Sequence, residues 1–150
     1  MSYVITRAHV APRLIAAVRA RMPIAQVPAR FVAYLDQVYA TVRREQIAND
    51  GLNVFVYRPL ETGEADVEFG VGVAAPFASV GRVVCSEVPA GEVVTTTHWG
   101  DYGQLGRAHD AIKAWCKEQA LPLDGTRWEA YGHWSDDPAK VRTDIYYLLA

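Results

Sequence analysis

One arrangement occurs twice in this sequence, and it restricts the fold more than any single motif does. The stretch Phe31–Ile47, FVAYLDQVYATVRREQI, places Phe31, Leu35, Val38 and Val42 at helical spacing, and NDG at 49–51 supplies a stop. Two strand-like runs follow, LNVFVYRP (52–59) and ADVEFGVGV (65–73), separated by the turn-forming LETGE. A second helix is expected over Tyr102–Gln119, with Leu105, Ala108, Ile112 and Trp115 as its stripe and Asp101 and Gln104 placed as a capping box. It too precedes two runs, TRWEAYGHW (126–134) and RTDIYYLL (142–149), separated by SDDP. A run with strand character also precedes each helix. EVVTTTHW (92–99) is rich in β-branched residues. PRLIAAVRARM (12–22) is ambiguous, because Ala and Arg favour helix while the alternation of Leu14, Ala16, Val18 and Ala20 favours strand.

The chain thus reads strand–helix–strand–strand twice. Phe31 and Tyr102, Gly51 and Gly125, and Glu68 and Asp144 are separated by 71, 74 and 76 residues. The expected fold class is α+β: a tandem duplication of a strand–helix–strand–strand module, with an antiparallel sheet and two long helices packed on one face about a pseudo-two-fold axis. One module could hardly bury its apolar sheet face alone. MPIAQVPAR (22–30) and APFASVG (75–81) read as connectors inside a single domain, 1–150, with repeat 1 at about 10–75 and repeat 2 at about 82–150.

Charge and composition narrow the function. A net charge of −2 gives no basic stripe that could track phosphates, so direct nucleic-acid binding is not expected. No apolar run reaches the length of a membrane span, and MSYVITRAHV has no signal-peptide pattern, which together predict a cytoplasmic protein. Cys85 and Cys116 stand in neither a CxxC nor a zinc-ligand spacing and are read as reduced thiols. His9, His98, His109 and His133 show no metal-ligand spacing, and no cofactor is expected. GVGVAA (70–75) loosely satisfies a dinucleotide fingerprint, but it lies within alternating strand and is followed by Pro76 instead of a helix.

The order of pieces from VPAGEVVTTTHWGDYGQL (88–105) onward is more specific. P-x-G, a strand, H-x-G-x-Y-x-x-L opening a helix, Trp115, then WEAY and TDIYYLL resemble the GyrI-like effector-binding family. The resemblance covers the C-terminal half through motifs and the N-terminal half through topology. It implies two strand–helix–strand–strand modules with a ligand groove between them. Relatives include drug-sensing domains of AraC- and MerR-type regulators, stand-alone antagonists of DNA gyrase, and stand-alone hydrolases of cyclopropane-bearing DNA alkylators. No segment is left over here for a DNA-binding helix pair, so autonomous transcription control is not expected.

Strand alternation in RWEAYGHW puts Glu129 and Tyr131 on one face and Trp128 and Trp134 on the other. Aligning the repeats on Gly51 and Gly125 sets Phe55 opposite Glu129 and Tyr57 opposite Tyr131. The resemblance gives Glu129 the floor of a ligand pocket; the bland alternative is a solvated strand residue. Tyr147 joins the candidate ligand contacts with Tyr146 turned away, Trp99 and Tyr102 stand at the strand–helix junction, and Tyr34 lies on the first helix. Three functions compete. One is a module binding an aromatic or cationic, drug- or toxin-like molecule with Glu129 as counter-charge, a multidrug type of recognition. The second is a hydrolase with Glu129 as general base and Tyr131 or Tyr147 polarising a conjugated carbonyl. The third is an interaction protein with a partner such as DNA gyrase.

Overall fold

A computed structural model describes residues 3–150. Met1 and Ser2, the start of the stretch read above for a leader, lie outside the described residues. The elements run β1 (Thr6–Val10), β2 (Arg13–Pro23), α1 (Val27–Arg44), β3 (Asn49–Pro59), β4 (Glu64–Val73), β5 (Val83–Val88), β6 (Gly91–Trp99), α2 (Leu105–Glu118), β7 (Leu123–Tyr131) and β8 (Arg142–Leu149). The fold is α+β, with two compact units. One is continuous, Pro12–Pro89; the other is discontinuous, Ala90–Ala150 joined by the N-terminal segment ending at Ala11.

In the continuous unit the strands lie in the order β5-β2-β4-β3, all antiparallel. The ambiguous segment 12–22 is strand β2. It is paired on both sides, Val18 with Phe69 of β4 and Val83 of β5. Its arginines are fixed across the ladder: Arg21 donates twice to Asp66, and Arg19 donates to Glu68 at 3.3 Å. Cross-strand pairing of this kind outweighs the modest helix preference of Ala and Arg. Helix α1 packs on β2, β4 and β5 through Tyr34, Leu35, Val38 and Val42, with Tyr34 stacked on Phe69 at 5.0 Å. Phe69 also meets Phe55 edge-on at 5.0 Å and is fully buried.

The opposite face of this sheet holds a buried carboxylate. Glu68 accepts from the Ser86 hydroxyl, from Arg58 at 2.5 Å and from Arg19. Burial alone would raise its pKa; the hydrogen bonds from Ser86 and Arg58, the charge of Arg58 and the Arg19 contact outweigh it, leaving the pKa lowered. A carboxylate depressed in the folded state stabilises above its unfolded pKa, and that contribution is lost as pH falls through the folded value. Glu68→Gln should therefore cost stability at pH 7 and flatten the acid-side loss. Urea unfolding at neutral pH and again below the ordinary glutamate value of 4.5 measures both effects; equal losses at the two pH values would refute the account.

The discontinuous unit orders its strands β1-β6-β8-β7, again antiparallel. Helix α2 packs on β6 and β8, and Val94, Ala108, Ile112, Cys116, Ile145 and Tyr147 form the core between them. Each unit therefore contains strand–helix–strand–strand in chain order plus one further edge strand. The sequence reading did not anticipate those additions, β5 and β1.

The helix ends differ from expectation. The first helix stops at Gln46 and not at NDG 49–51, and the second stops at Ala120, both residues at φ 55. Ile47 N–H reaches the Val42 carbonyl at 2.8 Å and Leu121 N–H reaches that of Cys116 at 2.9 Å, closing matching left-handed caps. Gly51 (φ 70) and Gly125 (φ 109) instead lie within the irregular openings of β3 and β7, where the register shifts. The expected capping box also takes another form. Asp101 accepts from Gly103 N–H at 2.8 Å and caps a 3-10 turn, Tyr102–Gln104, that precedes α2; Gln104 makes no reciprocal side-chain bond. Because a Cβ in the left-handed region is strained, Ala120→Gly is expected to stabilise the protein by about 0.5–1 kcal/mol despite the added freedom of the unfolded chain. A lowered thermal midpoint would contradict the cap geometry.

Candidate functional site

The site is built where His109 of α2 reaches Glu129 of β7 and Tyr147 of β8. On β8, Ile145 and Tyr147 belong to the α2-facing core. The ladder pairs Tyr147 with Arg127, Ile145 with Glu129 and Thr143 with Tyr131, so these β7 residues share that face. Glu129 is 7% exposed, which sets aside a solvated strand carboxylate. Its Oε1 accepts from the Tyr131 hydroxyl at 2.5 Å and its Oε2 lies 2.7 Å from His109 Nε2. His109 Nδ1 lies 2.6 Å from the Tyr147 hydroxyl. Four side chains from three elements thus form one hydrogen-bonded series, Tyr131–Glu129–His109–Tyr147.

The direction of each bond follows from chemistry. An ionised carboxylate can only accept, so Tyr131 and His109 Nε2–H donate to Glu129. A neutral imidazole then has Nδ1 free of hydrogen, and Tyr147 donates to it. Tyr147 is well suited to keep its proton: burial foremost, against an opposing effect from Arg127 and with help from Glu129, pushes its pKa up to about 12. The Arg127 guanidinium lies 6.0 Å from the centre of the Tyr147 ring. Adding a proton to His109 would convert the pair with Glu129 into an ion pair without moving a heavy atom.

His109 is not among the site residues expected from the sequence. A signal was present. Leu105, Ala108, His109, Ile112 and Cys116 fall on one helical stripe, and a polar ring on an apolar stripe needs a buried partner. Next to this series, Tyr102 meets the Tyr131 ring edge-on at 5.6 Å and Trp134 lies 6.1 Å from Tyr102. Both are exposed, Trp134 to 71%. Trp134 was expected on the face opposite Glu129, but β7 ends at Tyr131 and alternation no longer governs residue 134. Trp128 does turn away, stacking on Tyr146 at 5.3 Å.

The other sequence candidates are described by the contacts within their own units. Trp99 pairs with Arg142, whose guanidinium lies 5.5 Å from its ring centre. On β6 it is His98, not Trp99, that shares the α2-facing row with Val94, so Trp99 does not join the Glu129 series. His98 is held by the Tyr3 hydroxyl at 2.8 Å and the Asp101 carbonyl at 3.1 Å, a structural role. Phe55, Tyr57 and Tyr34 belong to the continuous unit, where Tyr34 and Phe55 both pack on Phe69 and Tyr57 pairs with Val67. Cys85 and Cys116 are free thiols, Cys116 in the α2 core. Among the described residues, no group of three His, Cys, Asp or Glu side chains could hold a metal ion, and no helix is long and apolar enough to cross a membrane.

The model of the GyrI-like small molecule binding domain matches residues 7–149. The chain belongs to this family. No curated protein matches it. Among solved structures, this GyrI-like domain is similar to the C-terminal domain of EcmrR, with a TM-score of 0.77 at 20% identity, covering 100% of this chain and 99% of that one. In an EcmrR–DNA complex the TM-score is 0.81 at 20% identity, and the match covers 98% of this chain but 57% of that one. SAV2435 bound to tetraphenylphosphonium gives 0.70 at 12% identity, covering 100% and 94%. A hydrolase from Listeria innocua gives 0.64 at 12% identity, covering 97% and 91%. At these identities the likeness is one of fold. The GyrI-like membership establishes small-molecule binding as the general role.

Proposed function

We propose that this GyrI-like domain binds an aromatic, cationic small molecule, with Glu129 as its counter-charge and Tyr102, Tyr131 and Trp134 as aromatic contacts. The observation that carries this reading is the buried Glu129 carboxylate, bordered through Tyr131 by two exposed aromatic rings. A carboxylate removed from water attracts a cation strongly, and aromatic faces add to that attraction. That a similar fold, SAV2435, has been seen with tetraphenylphosphonium supports the ligand class. Tetraphenylphosphonium is therefore the first probe. Calorimetric titration should give saturable 1:1 binding, with quenching of tryptophan emission that diminishes in Trp134→Phe. Heats indistinguishable from dilution would count against the proposal.

A second reading, hydrolysis, is favoured by the linkage of Glu129 to His109 and Tyr147. A carboxylate backed by an imidazole has the composition of a general base, and a tyrosine that keeps its proton can donate to a carbonyl. Product formation from a cyclopropane-bearing alkylator, followed by mass spectrometry, tests it. We also read the two units as copies of one module. The support is their common element order, their matching left-handed caps at Gln46 and Ala120, and their matching strand irregularities. Direct binding to nucleic acid forms no part of the proposal, given the net charge of −2.

A further inference from the structure

We infer that His109 determines which ligand charge the site accepts, because a cation can pair with Glu129 only after the imidazole has shed its second proton. The inference rests on the cation-binding reading and adds to it a specificity residue and a proton that leaves when the ligand arrives.

The geometry carries the argument. Glu129 Oε2 and His109 Nε2 are 2.7 Å apart, with the carboxylate side chain 9% and the imidazole side chain 15% exposed. Two unit charges at that range, partly withdrawn from water, interact strongly. When His109 is protonated, Glu129 already has its cation, and an incoming cation would meet imidazolium and carboxylate together. When His109 is neutral, the imidazole no longer competes with an incoming cation for that carboxylate. Nε2–H stays on Glu129 in both states, so the departing proton is the one on Nδ1. It goes to bulk solvent, and the Tyr147 hydroxyl turns from accepting at Nδ1–H to donating there.

The other charged and titratable groups that face this series are placed as follows. From β7, Tyr131 is a donor to Glu129 and Arg127 lies over Tyr147. From β8, Tyr147 remains protonated. On α2 itself, Asp110 and Cys116 act on Tyr147. From β6, His98 is occupied by Tyr3 and the Asp101 carbonyl, and Glu92 by His9 of β1.

By linkage, a cation that binds the deprotonated form must lower the proton affinity of that form's partner, and protons are released in proportion. The test is calorimetric titration of the intact chain with tetraphenylphosphonium, whose charge does not depend on pH, in buffers of differing ionisation heat from about pH 5.5 to 8.5. The expected result is release approaching one proton per cation on the acid side and none on the alkaline side. Affinity should rise with pH by up to about tenfold per unit and then level off. His109→Gln, whose amide can still donate to Glu129, should show a flat profile and no release. Neutral triphenylphosphine oxide should release no proton in the native protein. A cation affinity that varies by less than roughly twofold across the range, with no proton released, would overturn the inference. So would an acid-side loss shared equally by the neutral probe. The two levels remain separable: if Glu129→Gln weakens the cation while native protein releases no proton, this inference fails alone, whereas unchanged binding in Glu129→Gln overturns the cation site itself.

Discussion

Glu129→Gln should weaken binding of a lipophilic cation by about 1.5–3 kcal/mol, roughly 10- to 150-fold in Kd, the range for a charge-assisted contact in a dry site. The substitution preserves shape. Its amide oxygen can still accept from one neighbour, and its NH2 can donate to the Tyr131 oxygen, or to a His109 ring whose proton has moved to Nδ1 and then bonds the Tyr147 oxygen. The fold should therefore survive, and the loss should be one of charge. For a neutral substrate the pattern changes: ground-state binding stays close to native while turnover collapses, because a base is needed chiefly in the transition state. Tyr131→Phe should shift the same quantity in the same direction by less, since it removes one neutral donor to the carboxylate. Calorimetry and single-turnover assays on the two variants separate the readings. If Glu129→Gln alters neither binding nor turnover, Glu129 is not the counter-charge.

Phe69→Ala should cost about 3–5 kcal/mol of stability, the range for deleting a fully buried aromatic ring. Phe69 is stacked on Tyr34 with an interplanar angle of 11° and meets Phe55 at 76°, so removal takes one ring contact from each of them. Aromatic pairs of this kind add about 0.5–1.5 kcal/mol each beyond their buried area. Phe69→Leu, which keeps much of the volume, should lose clearly less than Phe69→Ala. Urea unfolding of both variants measures the difference. A loss under about 1.5 kcal/mol for Phe69→Ala would mean the core collapses around the gap more freely than a close-packed interior should.

How far the sequence foretold this molecule depends on the range of the interaction involved. The two helices and five of the strands follow from local pattern, because Leu35, Val38 and Val42, or Leu105, Ala108 and Ile112, repeat at helical spacing and the strand runs carry their own alternation or β-branched residues. Strand β2 could not be decided locally, because what fixes it is long-range: Arg19 and Arg21 meet Glu68 and Asp66 on another strand. The short strands β1 and β5 carry little pattern of their own and exist through the partners they find. The same holds at the site. Glu129 and Tyr131 are two residues apart and their shared face could be read from alternation. His109 is 20 residues from Glu129, and only the packing of α2 on the sheet brings them together. Trp134 was misplaced because alternation was carried past the end of the strand.

The discontinuity of the Glu129-bearing unit has a consequence for how the protein is made. The Pro12–Pro89 unit is a single stretch of chain and can reach its native pairings as soon as it has been synthesised. The other unit must join β1 to β6, with Thr6 against Thr95 and Tyr3 bonded to His98 across 95 residues. Closing so long a loop delays the pairing, since its entropy must be lost before the contact rewards it. Residues 105–150 emerge after β6, so Glu129, His109 and Tyr147 come together only once β8 has followed. Until then β6 has an open edge beside Val93 and Val94, and a nascent chain held at that stage would be the species most prone to pair with another copy of itself.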